Sequence, residues 1–161
     1  MRKVIATECA PGAIGPYVQG VDLGSMVLTS GQIPVCPQTG EVAENVSDQA
    51  RQSLENVKAI VESAGLKVSD IVKTTVFVSD LNDFATINQV YQQFFDEHKA
   101  IYPTRSCVQV ARLPKDVNWK LKPSPYVATR CNPLRGDLRI APILNECETW
   151  SSLNGNPRVW I

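Results

Sequence analysis

Histidine is almost absent from this chain. His98 is the only one in 161 residues. That argues against a zinc site and against Ser-His or Cys-His catalysis, since each needs an imidazole beside the reactive group. His98 falls near the end of a predicted helix, where it reads as a solvated cation. Net charge is absent too. Sixteen basic residues balance sixteen acidic ones, whereas a nucleic-acid or acidic-membrane partner favours a basic excess. No Gly-rich phosphate loop occurs, and no apolar run approaches the roughly 18–20 residues of a membrane span. The opening Met1-Arg2-Lys3-Val4-Ile5-Ala6 lacks the apolar stretch of a signal peptide, so the cytoplasm is the expected compartment. The five cysteines, Cys9, Cys36, Cys107, Cys131 and Cys147, are odd in number and include no CxxC pair, so no disulfide framework is expected. What remains for chemistry is water, arginine, carboxylates, hydroxyls and backbone groups.

The length suits one compact domain with its own core, and 43% hydrophobic with 20% charged residues is ordinary for a soluble protein. Val27-Leu28-Thr29-Ser30, set between Gly24 and Gly31, reads as a short strand. Tyr17-Val18-Gln19-Gly20-Val21 is its expected partner across an Asp22-Leu23-Gly24-Ser25 hairpin. Pro34 to Gly40 is loop. A helix follows, capped by Ser47 or Asp48. Its apolar face is Ala50, Leu54, Val57, Val61 and Ala64, and Gly65 closes it. Ile71 to Val78, rich in β-branched and aromatic residues, predicts a central strand. Asp80 to Asp83 start a second helix with Phe84, Ile87, Val90 or Tyr91, and Phe94 on its apolar face. Ser106 to Ala111 is the next strand, stopped by Leu113-Pro114. Trp119 and Leu121 suit a brief strand that Pro123 and Pro125 end. The order is that of an α+β layer fold with two helices on one face of a sheet.

Beyond Val117 the character of the chain changes. Lys122 is the last lysine, and residues 123–161 hold five prolines, two cysteines and two tryptophans. From Thr129 onward no period of 3.6 or 2 persists, and a poorly packed tail is expected.

Several strings together resemble the RidA family, also called YjgF/YER057c/UK114. They are Ala10-Pro11-Gly12-Ala13-Ile14-Gly15-Pro16-Tyr17, Thr29-Ser30-Gly31-Gln32-Ile33-Pro34, Lys73-Thr74-Thr75-Val76-Phe77-Val78 and Pro103-Thr104-Arg105-Ser106-Cys107-Val108. The helical Ala50-Arg51-Gln52-Ser53-Leu54-Glu55-Asn56-Val57 matches as well. The likeness runs in order from near Lys3 to Val117. It implies a chorismate-mutase-like α+β fold with a mixed sheet, a homotrimer, and sites in clefts between subunits. The bacterial branch it resembles hydrolyses 2-iminobutanoate and 2-iminopropanoate to 2-keto acids and ammonia. Such imines leave pyridoxal-phosphate enzymes such as threonine and serine dehydratases, one route serving isoleucine biosynthesis. No cofactor and no metal is expected in the deaminase itself.

The resemblance also implies site residues. Arg105 aligns with a carboxylate-binding arginine, and a planar guanidinium suits that task because it donates two parallel hydrogen bonds. Without the family, a surface arginine is the plainer reading. Cys107, two residues on, shares a strand face with Arg105. It reads either as a ligand contact or as a small buried apolar residue, and with no imidazole nearby it is a poor nucleophile. Tyr17, Ser30, Gly31, Asn88 and Pro114 align with the ligand cleft. Their plainer readings are a core or interface aromatic for Tyr17, a turn glycine for Gly31, an exposed helix position for Asn88 and a strand stop for Pro114.

One departure stands out. Where the family's deaminases carry a glutamate for water and proton handling, this chain has Lys120. It reads either as a second anion-binding group beside Arg105 or as a solvated strand residue. If the site cannot finish the reaction, the alternative is a non-catalytic, 2-keto acid-binding regulatory trimer. The family's last strand reads close to V-K-L-E-I-E-A-I-A-I-R-R. One coding string for it, with a single A removed from its second codon, yields V-N-W-K-L-K-P-S-P-Y-V, the sequence of Val117 to Val127. This predicts a family domain over 1–127, altered from residue 118, and an atypical tail over 128–161 produced by a one-nucleotide shift in the gene or its readout.

Overall fold

The computed structural model describes residues 2–122. The proline stop at Pro123 and Pro125 and the tail 128–161 lie outside the described residues. β1 (Lys3–Ile5), β2 (Gly20–Asp22) and β3 (Val27–Thr29) form an antiparallel sheet in that order. Only the end of the Tyr17–Val21 segment joins it. Gln19 is drawn away to clamp the preceding loop, accepting from the Thr7 N–H at 2.6 Å and donating to the carbonyls of Thr7, Ala10 and Pro11. The β2–β3 hairpin turns where expected, through Gly24 at φ +90°, a left-handed conformation that suits glycine.

The second sheet has the order β5-β4-β6, from β4 (Lys73–Val78), β5 (Thr104–Gln109) and β6 (Trp119–Lys122). β4 is central, parallel to β5 and antiparallel to β6. A single bridge between Gln32 and Leu121 ties the two sheets, with N–H···O distances of 2.7 and 3.0 Å. The second sheet is the expected mixed one, and the first is antiparallel throughout. β5 begins two residues earlier than the sequence suggests. Pro103 has no N–H for the ladder, and pairing starts directly after it with Lys73 opposite Thr104.

α1 (Val46–Ser63) is capped by Asn45, not by Ser47 or Asp48. Asn45 is extended, with ψ 150°, and its side-chain oxygen accepts from the Asp48 N–H at 2.8 Å. Asp48 instead lies in the first turn, where a negative charge suits the helix dipole. Ala50, Leu54, Val57, Val61 and Ala64 are all buried, and Gly65 follows at φ +77°. A 3₁₀ turn over Leu81–Asp83, capped by Asp80, leads into α2 (Phe84–Glu97). Ile87, Tyr91 and Phe94 face inward as expected. Phe84 does not: it is the first residue of α2 and 38% exposed, while Phe95 is fully buried in its stead.

Along β4, Thr74, Val76 and Val78 are fully buried beneath the helices, and Lys73, Thr75 and Phe77 lie on the other face. Trp119 and Leu121 of β6 join the buried side, as their alternation predicts. Each large side chain sealed here, such as Leu54, Ile60 or Phe94, contributes about 1.5–3 kcal/mol. Packing α1 and α2 on one face leaves both β5 and the opposite face of the sheet open for a site.

Candidate functional site

Arg105 is the second residue of β5 and pairs opposite Thr74. It therefore points to the helix-covered face, but β5 is an edge strand, so its guanidinium meets a groove and not the core. The guanidinium carbon lies 4.8 Å from the centre of the Tyr91 ring and 5.5 Å from that of Phe84. Tyr91 in turn shares a 2.7 Å hydrogen bond with the buried Thr74 hydroxyl. Asn88, Tyr91, Gln92, Tyr102, Pro103 and Arg105 line a groove of about 510 Å³. Arg105 takes part in none of the ion pairs found among the described residues. The side-chain oxygen of Asn88 is buried and has no hydrogen-bond partner. The groove thus offers a cation and an unfilled acceptor, and its lining includes no carboxylate.

Cys107 shares the Arg105 face, as the strand period requires, and packs half-buried against the core. Burial pushes its thiol up, and the charge of Arg105 offsets this in part. A thiol held protonated is a poor nucleophile.

The remaining expected residues gather elsewhere. The Ser30 hydroxyl donates to the Val18 carbonyl at 2.6 Å, beside the exposed Tyr17. Gly31 lies under Lys120: a Cβ there would sit 2.7 Å from the lysine Cε. Lys120 pairs opposite Phe77, on the sheet face away from the helices. Arg105 and Lys120 are therefore on opposite faces of one sheet, and within a single chain Lys120 does not stand beside Arg105. Pro114 is exposed and opens the 3₁₀ turn Pro114–Asp116, outside the Arg105 groove. His98 is half-buried, not fully solvated. It ends α2 with Nδ1 2.7 Å from the Phe94 carbonyl and its ring against Phe94. Among the described residues no group of three metal-ligating side chains occurs, and no helix is long and apolar enough to cross a membrane.

The family pattern described as endoribonuclease L-PSP matches residues 7–121. The chain belongs to the RidA family. Its RidA relatives include the putative reactive intermediate deaminase TdcF of Escherichia coli K12, 76% identical over 122 residues, or 76% of this chain and 95% of that protein. The 2-iminobutanoate/2-iminopropanoate deaminase of Salmonella typhimurium LT2 has the same identity and coverage. The crystal structure of E. coli TdcF with bound serine superposes with a TM-score of 0.76 at 73% identity, over 80% of this chain and 98% of that one. Within this RidA fold, sequence reasoning missed Tyr91, Gln92 and Tyr102 as groove residues and Phe84 as a ring beside Arg105. One signal was available: Thr74 is a hydroxyl on the buried side of β4, where its neighbours are valines, and a buried hydroxyl needs a partner.

Proposed function

We propose that this chain hydrolyses 2-imino acids, 2-iminobutanoate and 2-iminopropanoate, to 2-keto acids and ammonia. The observation that carries this is Arg105, held over two aromatic rings at a groove that contains no carboxylate to neutralise it. The guanidinium binds the substrate carboxylate. Water adds to C2, the C=N electron pair moves to nitrogen, and the carbinolamine then loses ammonia as the C=O forms. The names of the close relatives support the substrate class, as does the serine bound in TdcF, an amino acid with the same carboxylate.

This reading divides the residues into two half-sites. Arg105, Asn88 and Cys107 belong to one, and Tyr17, Ser30, Gly31 and Lys120 to the other. Because they lie on opposite sides of the sheet, a complete site needs two copies, and we assign the chain to a homotrimer with its clefts between subunits. Its substrates come from pyridoxal-phosphate-dependent threonine and serine dehydratases, including the threonine branch toward isoleucine, in the cytoplasm. Pro114 shapes the cleft wall supplied by a neighbouring copy. Residues 1–127 are the RidA domain, its last strand altered from residue 118 by a shift of reading frame that also accounts for the tail over 128–161.

Lys120 favours a second reading. With no carboxylate at the groove, the trimer binds 2-keto acids and regulates without turnover. A coupled assay separates the two. Threonine dehydratase and threonine generate the imine, semicarbazide traps it, and keto-acid release is followed. We expect acceleration by the chain, and a larger one with Lys120→Glu in a restored last strand. No acceleration by either protein removes the deaminase reading.

A further inference from the structure

We propose that Tyr91, pinned by Thr74, is a positioning residue that holds the Arg105 guanidinium flat and edge-on to the substrate carboxylate. The inference rests on the proposed role of Arg105 as the carboxylate anchor. An arginine on an edge strand has a long side chain with many rotamers, and ordering it on binding opposes affinity. A ring stacked on the guanidinium face removes much of that freedom beforehand. It also leaves the five N–H donors pointing outward in the guanidinium plane, where a carboxylate is bound through two bonds.

The geometry fits this role. The guanidinium carbon is 4.8 Å from the Tyr91 ring centre, within the range of a cation–π contact. Phe84 adds a second ring at 5.5 Å. Tyr91 cannot drift, because its body is 5% exposed and its hydroxyl is tied to Thr74 Oγ1 at 2.7 Å. Thr74 is itself fully buried and lies directly opposite Arg105 in the β4–β5 ladder. The two strand neighbours are therefore joined twice: by backbone register, and by a Thr74–Tyr91–Arg105 chain of side chains. Burial pushes the Tyr91 hydroxyl up, so it stays neutral and holds its bond to Thr74.

The test uses the full-length chain and two ligands of similar shape. 2-Ketobutanoate carries the carboxylate, and 2-ketobutanamide does not. Dissociation constants are measured by calorimetry for wild type, Tyr91→Phe, Tyr91→Leu and Thr74→Val. Tyr91→Leu is expected to weaken ketobutanoate binding by about tenfold, with the amide changed less than about twofold. Tyr91→Phe, which keeps the ring, should lose about threefold or less. Where turnover is measured, KM should rise by the same factor with kcat nearly constant, the mark of uniform binding. Equal loss for both ligands in Tyr91→Leu assigns Tyr91 a purely structural role and overturns the proposal. If Tyr91→Leu does not fold, Thr74→Val, which frees the Tyr91 hydroxyl, decides: it should weaken ketobutanoate binding by about threefold and the amide less, and equal or no loss for the two ligands overturns the proposal. Wild-type protein that fails to bind ketobutanoate overturns it as well. Absence of imine turnover with the selective binding intact defeats the deaminase reading alone.

Discussion

Cys107 and Cys36 are both half-buried thiols whose surroundings push them in opposite directions. At Cys107 burial disfavours the thiolate. At Cys36 the N–H of Thr39, then its hydroxyl and the N–H of Gln38, favour it, outweighing burial and the nearby charge of Glu41. Iodoacetamide near pH 8 is therefore expected to label Cys36 well before Cys107, read by peptide mass spectrometry. Labelling in the reverse order contradicts the assignment of Cys107 as a protonated, non-nucleophilic neighbour of Arg105. The chemistry of single residues was largely legible in the sequence. A guanidinium suits a carboxylate wherever it stands, and a lone histidine at a helix end argues against imidazole catalysis. The aromatic rings around Arg105 were not legible, because stacking across α2 and β5 depends on tertiary geometry that spacing does not carry.

At the scale of elements, α1 and α2 are joined at their solvent side by Arg51. Its guanidinium donates to Glu97 at 2.7 Å and lies over the Phe94 ring. The hydrogen bond from Arg51 is the chief reason the Glu97 carboxyl sits below the usual glutamate range. A depressed acid stabilises the fold at pH values above its unfolded pKa, and that contribution is lost as the pH falls through its folded value. Glu97→Gln is therefore expected to lower Tm slightly near neutral pH, with the difference from wild type vanishing in acid. A difference that grows on acidification contradicts this sign. Leu54, 1% exposed at the centre of the α1 face, should cost about 2–5 kcal/mol as Leu54→Ala in urea unfolding. The apolar periods of α1, β4 and β6 were readable because burial imposes them directly. The boundaries were less so. Asn45 outcompeted Ser47 and Asp48 because the cap depends on where the chain turns extended, and β5 began at Thr104 because a proline set its first available N–H.

At the scale of the whole molecule, the alternation of β4, β5 and β6 puts Arg105 and Cys107 on one face of the sheet and Lys120 on the other. That split was hidden in the sequence, where all of them simply aligned. With the proposed homotrimer, the solution mass by light scattering is expected to be three times the 17.7 kDa chain. The trimer also predicts complementation. Arg105→Ala and Tyr17→Ala chains, each impaired alone, should regain about a quarter of wild-type activity when mixed after dissociation, since random closed trimers pair intact halves at that frequency. No recovery on mixing contradicts a site shared between subunits.

The most direct measurement is keto-acid release in the threonine dehydratase assay, comparing wild type with Arg105→Ala at matched protein concentration. The account predicts acceleration by wild type and its loss, by about a hundredfold or more, in Arg105→Ala, as expected when a charged, two-bond contact to the substrate is removed. Equal acceleration by the two proteins would contradict the claim that Arg105 anchors the substrate.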